Sequence, residues 1–149
     1  MNNQFEIYAY CLMPNHFHFC IRQNSDFPIW KCFNKVNVSY SMHYNKKYKR
    51  YGKLFAGKLQ HKQLHTDEYL ITLCEYIHFN PKKAGLVNKL SDWQFSNYLE
   101  YTNKRDGTLF SRKLILDYPD IFCDYANTII EYEKNLDDNK FNELLFVDK

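Results

Sequence analysis

The stretch YAYCLMPNHFHFCI, Tyr8 to Ile21, consists of two aromatic-rich runs separated by Met-Pro-Asn. Aromatic and β-branched residues favour extended chain, and proline followed by asparagine favours reversal. Residues 5–12 and 17–22 are therefore expected to pair as a β-hairpin. Side chains along a strand alternate between faces, so His16 and His18, two apart just past the turn, project side by side from one face. A histidine pair alone fits packing or a solvated surface as well as it fits a metal, and its meaning depends on what the rest of the chain brings near it.

Downstream, residues 30–48 carry Trp30, Phe33, Val36, Tyr40, Tyr44 and Tyr48 near helical spacing, which predicts an amphipathic helix ending in a basic turn before Gly52. Its aromatic stripe is expected to pack on the sheet. KLFAGKLQHKQL, residues 53–64, reads as a further strand with Gly57 as a bulge. Thr66 then fits the N-cap of a second helix bearing Tyr69, Leu70, Leu73, Tyr76 and Ile77, with Asp67 and Glu68 in its first turn. Because the residue before a proline is biased away from the α region, this helix is expected to end near Asn80. Asn80 would then cap a short following turn, with Pro81 in its first position and Gly85 closing it. Residues 91–149 read as loop, the aromatic segment WQFSNYLEY and one or two C-terminal helices.

With 149 residues and 45% apolar content the chain suits one domain with a real core. It has no apolar run of the roughly 20 residues that span a bilayer, and no secretory leader pattern at the N-terminus, which predicts a soluble, cytoplasmic protein without a membrane partner. Its five scattered cysteines form no C-x-x-C pair and read as reduced, buried thiols. The net charge of +3 is unevenly spread. Residues 28–66 contain no acid but hold Lys31, Lys35, Lys46, Lys47, Lys49, Arg50, Lys53, Lys58 and Lys62. Tyr40, Tyr44, Tyr48 and Tyr51 are interleaved with them, the pattern of a polyanion surface on which bases can stack. From Asp117 onward the balance reverses to nine acids against three lysines.

Tyr76 and Asn80 lie four apart on the second helix and so share a face. If that face meets His16 and His18, two imidazoles and an amide oxygen would suit a divalent ion such as Mg²⁺ or Mn²⁺ beside a tyrosine hydroxyl. Lys82 and Lys83, with Lys58 and Lys62, are candidates to grip flanking phosphates. His61, His65 and His78 read as solvated or packing residues.

Taken in order, AYCLMPNHFHF, YNKKYKRYGKLFAGKLQHKQL, YLITLCEYIHFNPKKAGLV and WQFSNYLEY resemble the HUH single-tyrosine transposases, most closely the REP-associated tyrosine transposases. The likeness runs from about Tyr8 to Tyr101 and continues more loosely through GTLFSRKLILDY. It implies an α+β, ferredoxin-like antiparallel sheet with helices on one face. The implied activity is metal-dependent single-stranded DNA cleavage and strand transfer through a covalent 5′-phosphotyrosine, acting on single-stranded or hairpin DNA. By motif match, Tyr76 is the nucleophile and His16, His18 and Asn80 are the metal ligands. The implied division is a catalytic domain over residues 1–102 and an acidic helical extension over 103–149. Two departures stand out. Relatives usually carry a strand and helix ahead of AYCLMPNH, which predicts a chain short of its first βα unit that either completes its sheet with a second copy or another polypeptide, or is poorly folded alone and lacks an upstream segment of its natural gene. DYPDIF also stands where relatives often have a Phe-Gly step. The competing reading is a truncated or domesticated remnant that binds nucleic acid without catalysis.

Overall fold

A computed structural model of the chain describes residues 4–64 and 67–109, together with Pro119, Tyr125 and Ile129. The elements are β1 (Phe5–Leu12), β2 (Phe17–Gln23), α1 (Ile29–Tyr48), α2 (Asp67–Lys83), a 3₁₀ turn (Leu90–Asp92) and a short helix α3 (Tyr98–Tyr101). The described residues fall into two compact units: one holds Gln23–Gln63 and the chain up to Phe5, the other Glu6–Arg22 and the residues from Leu64 onward.

The second unit is α+β and begins with the expected hairpin. Met13 N donates to His16 O at 2.9 Å, closing a Pro14-Asn15 loop and setting the register of β1 against β2. Among the described residues these two strands form the whole sheet. The outer edge of β1 is nonetheless covered by residues 93–101. Leu12 N donates to Phe95 O (2.8 Å), Asn97 N to Tyr10 O (3.3 Å), and Trp93 Nε1 to Leu12 O (3.2 Å). The Asn97 carboxamide does what a neighbouring peptide group would do: its Oδ1 accepts from Tyr10 N at 2.7 Å and its Nδ2 donates to Tyr8 O at 2.9 Å. Tyr101 Oη donates to the same Tyr8 carbonyl at 2.8 Å. These bonds satisfy strand groups that burial would otherwise leave unpaired. WQFSNYLEY is thus an edge cover as well as an aromatic segment.

The loop that provides this cover is clamped by Arg105. Its guanidinium donates to Gln94 O and Ser96 O and reaches both carboxylate oxygens of the buried Glu100 at 2.9 and 2.7 Å. Gly107 passes so close to this pair that a Cβ there would collide with the Glu100 carboxylate.

Helix α2 differs from expectation at its end. It continues through Asn80 and Pro81 to Lys83, so Asn80 caps no new turn. Proline is tolerated here because it falls in the last turn and forfeits a single helical N–H. Closure follows at Gly85, whose φ of +68° allows Leu86 N to reach Pro81 O and Gly85 N to reach Lys82 O, both at 2.9 Å. Cys74, Ile77, Phe79 and Pro81 are buried along α2 and meet Cys11, Cys20, Leu90 and Tyr98 in the core. The thiols of Cys11, Cys20 and Cys74 are free and buried as expected, whereas Cys32 is half-buried; Cys123 lies outside the described residues. The Thr66 cap and most of residues 103–149 also lie outside them.

The first unit is built around α1. The helix forms as the periodicity predicts, but it contributes no buried residue; Trp30, Val36, Tyr40 and Tyr48 are all more than half exposed. Its C-terminus is closed by Lys49 in the left-handed region (φ 52°), and Arg50 N donates to Asn45 O at 2.9 Å. Residues 53–64 form no strand. Gly52 and Gly57 both take positive φ (+93° and +80°), which breaks the extended conformation, so Lys58 and Lys62 sit on irregular chain.

Candidate active site

The hairpin and α2 bring three of the expected residues together. His16 and His18 leave β2 and its turn on one face, with ring centroids 4.9 Å apart and rings nearly perpendicular. The Tyr76 ring meets His18 edge-on at 5.9 Å. His16 is exposed, while His18 and Tyr76 are half-buried and His18 Nε2 is screened from solvent.

Local contacts orient these groups. His16 Nδ1 lies 2.6 Å from Asn15 Oδ1. A carboxamide oxygen only accepts, so Nδ1 is the donor in this contact, which leaves Nε2 as the ring nitrogen turned to other partners. Asn15 escapes notice in the sequence because Pro-Asn reads first as turn chemistry. Asn80 is tied to Tyr76 directly: its Nδ2 donates to the Tyr76 carbonyl at 2.9 Å, which leaves Oδ1 as the atom suited to a cation. Among the described residues no group of three or more His, Cys, Asp or Glu side chains forms a metal cluster. The two imidazoles that meet here are donors acceptable to a hard or borderline divalent ion.

Lys83 and Lys82 occupy the last turn of α2. Lys83 Nζ stands 6.0 Å from the Tyr76 ring centre and Lys82 Nζ 6.0 Å from that of Phe79. The other expected basic residues belong to the first unit. There Tyr44 and Tyr48 approach to 4.4 Å, with Arg50 over Tyr44 and Lys47 over Tyr48 at 5.8 and 5.4 Å. Tyr51 is almost fully exposed. Lys46, Lys49, Lys53, Lys58 and Lys62 are exposed in the same unit.

His78 is a packing residue, as its sequence context suggests, and it is also part of a buried polar network. Nδ1 meets Tyr125 Oη at 2.5 Å and Nε2 meets Asn97 Oδ1 at 2.9 Å. Burial holds its imidazole down to about 4, so the ring is neutral near pH 7. Asn97 Nδ2 is committed to Tyr8 O, so its Oδ1 must accept; Nε2 of His78 is therefore the protonated nitrogen, and Tyr125 donates to Nδ1. No sequence signal links Tyr125 or Asn97 to His78, because both partners are remote in the chain. His61 is exposed, and His65 lies outside the described residues.

The hairpin-and-helix unit thus sets paired histidines against a helix-borne tyrosine. The chain belongs to the IS200-like transposase family, whose model matches residues 1–80. It is 25% identical over 104 residues to a Haemophilus influenzae protein described as a REP-associated tyrosine transposase, an alignment covering 63% of this chain. The chain spans 59% of the length of that relative. It also resembles the solved structure of a REP-associated tyrosine transposase bound to a REP hairpin, with a TM-score of 0.52 and 22% identity over 72% of this chain and 70% of that one. Among the described residues no helix is long and apolar enough to cross a membrane.

Proposed function

We propose that this chain is a single-strand DNA nicking and joining enzyme of the transposase type, with Tyr76 as nucleophile. The observation that carries the reading is the meeting of Tyr76 with His18, and of His18 with His16, on one face of the hairpin. A phenol beside two imidazoles, with Lys83 reaching its ring from two turns along the helix, suits attack on a phosphodiester. Family membership supports the same reaction class.

In the proposed reaction the Tyr76 oxygen forms a bond to phosphorus while the bond from phosphorus to the 3′ oxygen breaks. The phenolic proton passes to solvent or a base, and the departing 3′ oxygen takes up a proton. Because the phosphotyrosine ester retains the energy of the broken bond, a free 3′ hydroxyl can reverse the step and rejoin a strand without a nucleotide cofactor. His16 Nε2, His18 and Asn80 Oδ1 are the atoms suited to hold a divalent ion such as Mg²⁺ or Mn²⁺. Such an ion, when bound, would withdraw charge from the phosphate oxygens. Lys82 and Lys83 would hold a phosphate flanking the scissile one, and the Tyr44/Tyr48 ladder with its lysines and Arg50 would grip single-stranded or hairpin DNA elsewhere on the strand.

Incubation with single-stranded and hairpin oligonucleotides in Mn²⁺, followed by denaturing electrophoresis, tests the reading. A protein-linked oligonucleotide is expected. Binding without such an adduct would instead support a nucleic-acid-binding protein without catalysis.

A further inference from the structure

The buried network behind the site carries a more specific inference, which rests on Tyr76 being the nucleophile. His78, Asn97 and Tyr125 are 1%, 0% and 2% exposed. Three polar side chains are therefore fully withdrawn from water, and each is committed to the others. Asn97 Oδ1 takes hydrogens from Tyr10 N and His78 Nε2 at once, while Nδ2 holds Tyr8 O. One carboxamide thus joins two successive alternate residues of β1 to α2. The rings of Tyr98, Tyr101 and Tyr125 enclose His78 at centroid distances of 6.0, 5.0 and 5.9 Å, which fixes the ring's plane as well as its nitrogens.

The attachment point on each element matters. His78 is two residues from Tyr76 on α2, so rotating or sliding the helix about this anchor moves the phenol by a comparable amount. Tyr10 belongs to β1, whose hairpin partner β2 bears His18 and whose turn leads into His16. Apolar packing alone lets a helix settle in neighbouring registers at little cost, because dispersion has no direction. A bifurcated acceptor with two donors on different elements admits one register, since any slide breaks a buried hydrogen bond.

We propose that His78 and Asn97 are positioning residues for the cleavage reaction: they lock α2 in register against β1 and so hold the Tyr76 hydroxyl opposite the His16/His18 face. They do not touch the reacting atoms. Tyr125 completes the lock by fixing the His78 tautomer, because its hydroxyl donates to Nδ1 and leaves Nε2 to donate to Asn97. The cost of misplacement is large in such chemistry: a shift of about 1 Å in a nucleophile can slow a step by two orders of magnitude.

The test uses the full chain with His78→Phe, His78→Gln and Tyr125→Phe. Phenylalanine keeps the ring's bulk and loses both nitrogens, whereas glutamine can present an N–H where Nε2 stood. Two readouts are taken well below each variant's unfolding temperature: the single-turnover rate of adduct formation at saturating oligonucleotide, and the nuclear Overhauser effect between the His18 and Tyr76 rings, which needs no activity. For His78→Phe, the expected result is a rate at least tenfold slower with oligonucleotide Kd within twofold of wild type, and loss of the ring-to-ring effect. Both should recover in large part in His78→Gln, and Tyr125→Phe should fall between. If His78→Phe does not fold, the intermediate phenotype of Tyr125→Phe decides. A folded variant that keeps the His18–Tyr76 effect and the wild-type rate, with only its melting temperature lowered, overturns the proposal. An adduct that still forms in Tyr76→Phe would instead overthrow the nucleophile assignment, and the ring-to-ring effect would continue to judge the register lock.

Discussion

Helices α1 and α2 are of similar length and both are legible as helices, yet they are held in opposite ways. Helix α2 is anchored by burial: its inner face meets strand and loop side chains, and its one buried histidine is saturated with hydrogen bonds. Helix α1 buries no residue, and its order comes from neighbours in sequence, namely the tyrosine ladder, the cations over it and the left-handed cap at Lys49. Under the proposed function the difference separates two tasks. Covalent chemistry needs a group fixed to a fraction of an ångström, which buried and directional contacts supply. Grip on a charged, flexible strand needs many exposed cations and flat rings, which tolerate motion.

The comparison is broken most completely by variants that remove chemistry without removing grip. Tyr76→Phe and His18→Ala should abolish the covalent product in the gel assay while leaving oligonucleotide affinity within about twofold. Persistent adduct in either would move the chemistry away from this face.

Next in size is Arg105→Ala. It strands the Glu100 carboxylate, which is only 4% exposed, without its partner and frees the loop that covers β1. Removal of one member of a buried ion pair costs about 3–5 kcal/mol. Arg105 is itself partly exposed, so urea unfolding should show a loss toward the lower end of that range.

A smaller effect follows from His78. Its folded value of about 4 lies below the ordinary 6.5, so between these values the unfolded chain binds more protons and stability falls as pH falls. The groups facing the ring are Tyr98, Tyr101, Tyr125 and Asn97, none of which offers a compensating negative charge near neutral pH. From pH 7.5 to 5 the His78 contribution should amount to about 2 kcal/mol. Comparing urea midpoints of wild type and His78→Gln at both pH values isolates it; an equal pH dependence in the two proteins would refute it.

The smallest effect on stability is expected among the basic residues of α1 and the chain after it. Replacing Lys46, Lys53 or Lys58 singly by alanine should change unfolding free energy by about 0.5 kcal/mol or less, in keeping with exposed sites. The same substitutions should flatten the salt dependence of oligonucleotide binding by about 0.7 in the log-log slope for each phosphate that is no longer neutralised. An unchanged slope would reduce the block to a solvated surface.

The hairpin, both long helices and the reduced thiols can be read from the chain because each rests on local pattern: alternation, helical spacing, turn residues. The failures have local causes too. Pro81 argues for a helix end near Asn80, yet a proline in a final turn loses little, and Gly85 performs its expected closure on a helix three residues longer. Residues 53–64 have the aromatic and apolar content of a strand, but the chain turns at the positive-φ glycines 52 and 57 and no partner strand pairs with it among the described residues. His16, His18 and Tyr76 are legible as candidates through the motif resemblance; their meeting is not, since it depends on packing between residues about 60 apart. The Asn97–His78–Tyr125 network leaves no trace, because an asparagine in an aromatic segment carries no periodic signature.

The closed edge of β1 has a bearing on solubility. An exposed strand edge is a template on which other chains assemble, and proteins usually guard it with charge, proline or a bulge. Here the guard is largely one carboxamide imitating a peptide group, reinforced by the Tyr101 hydroxyl and by carbonyl and amide groups of the covering loop. Such a guard is specific but thin. A leucine at position 97 would fit the volume while baring Tyr10 N and leaving Tyr8 O to the Tyr101 hydroxyl alone, which weakens the guard on this edge.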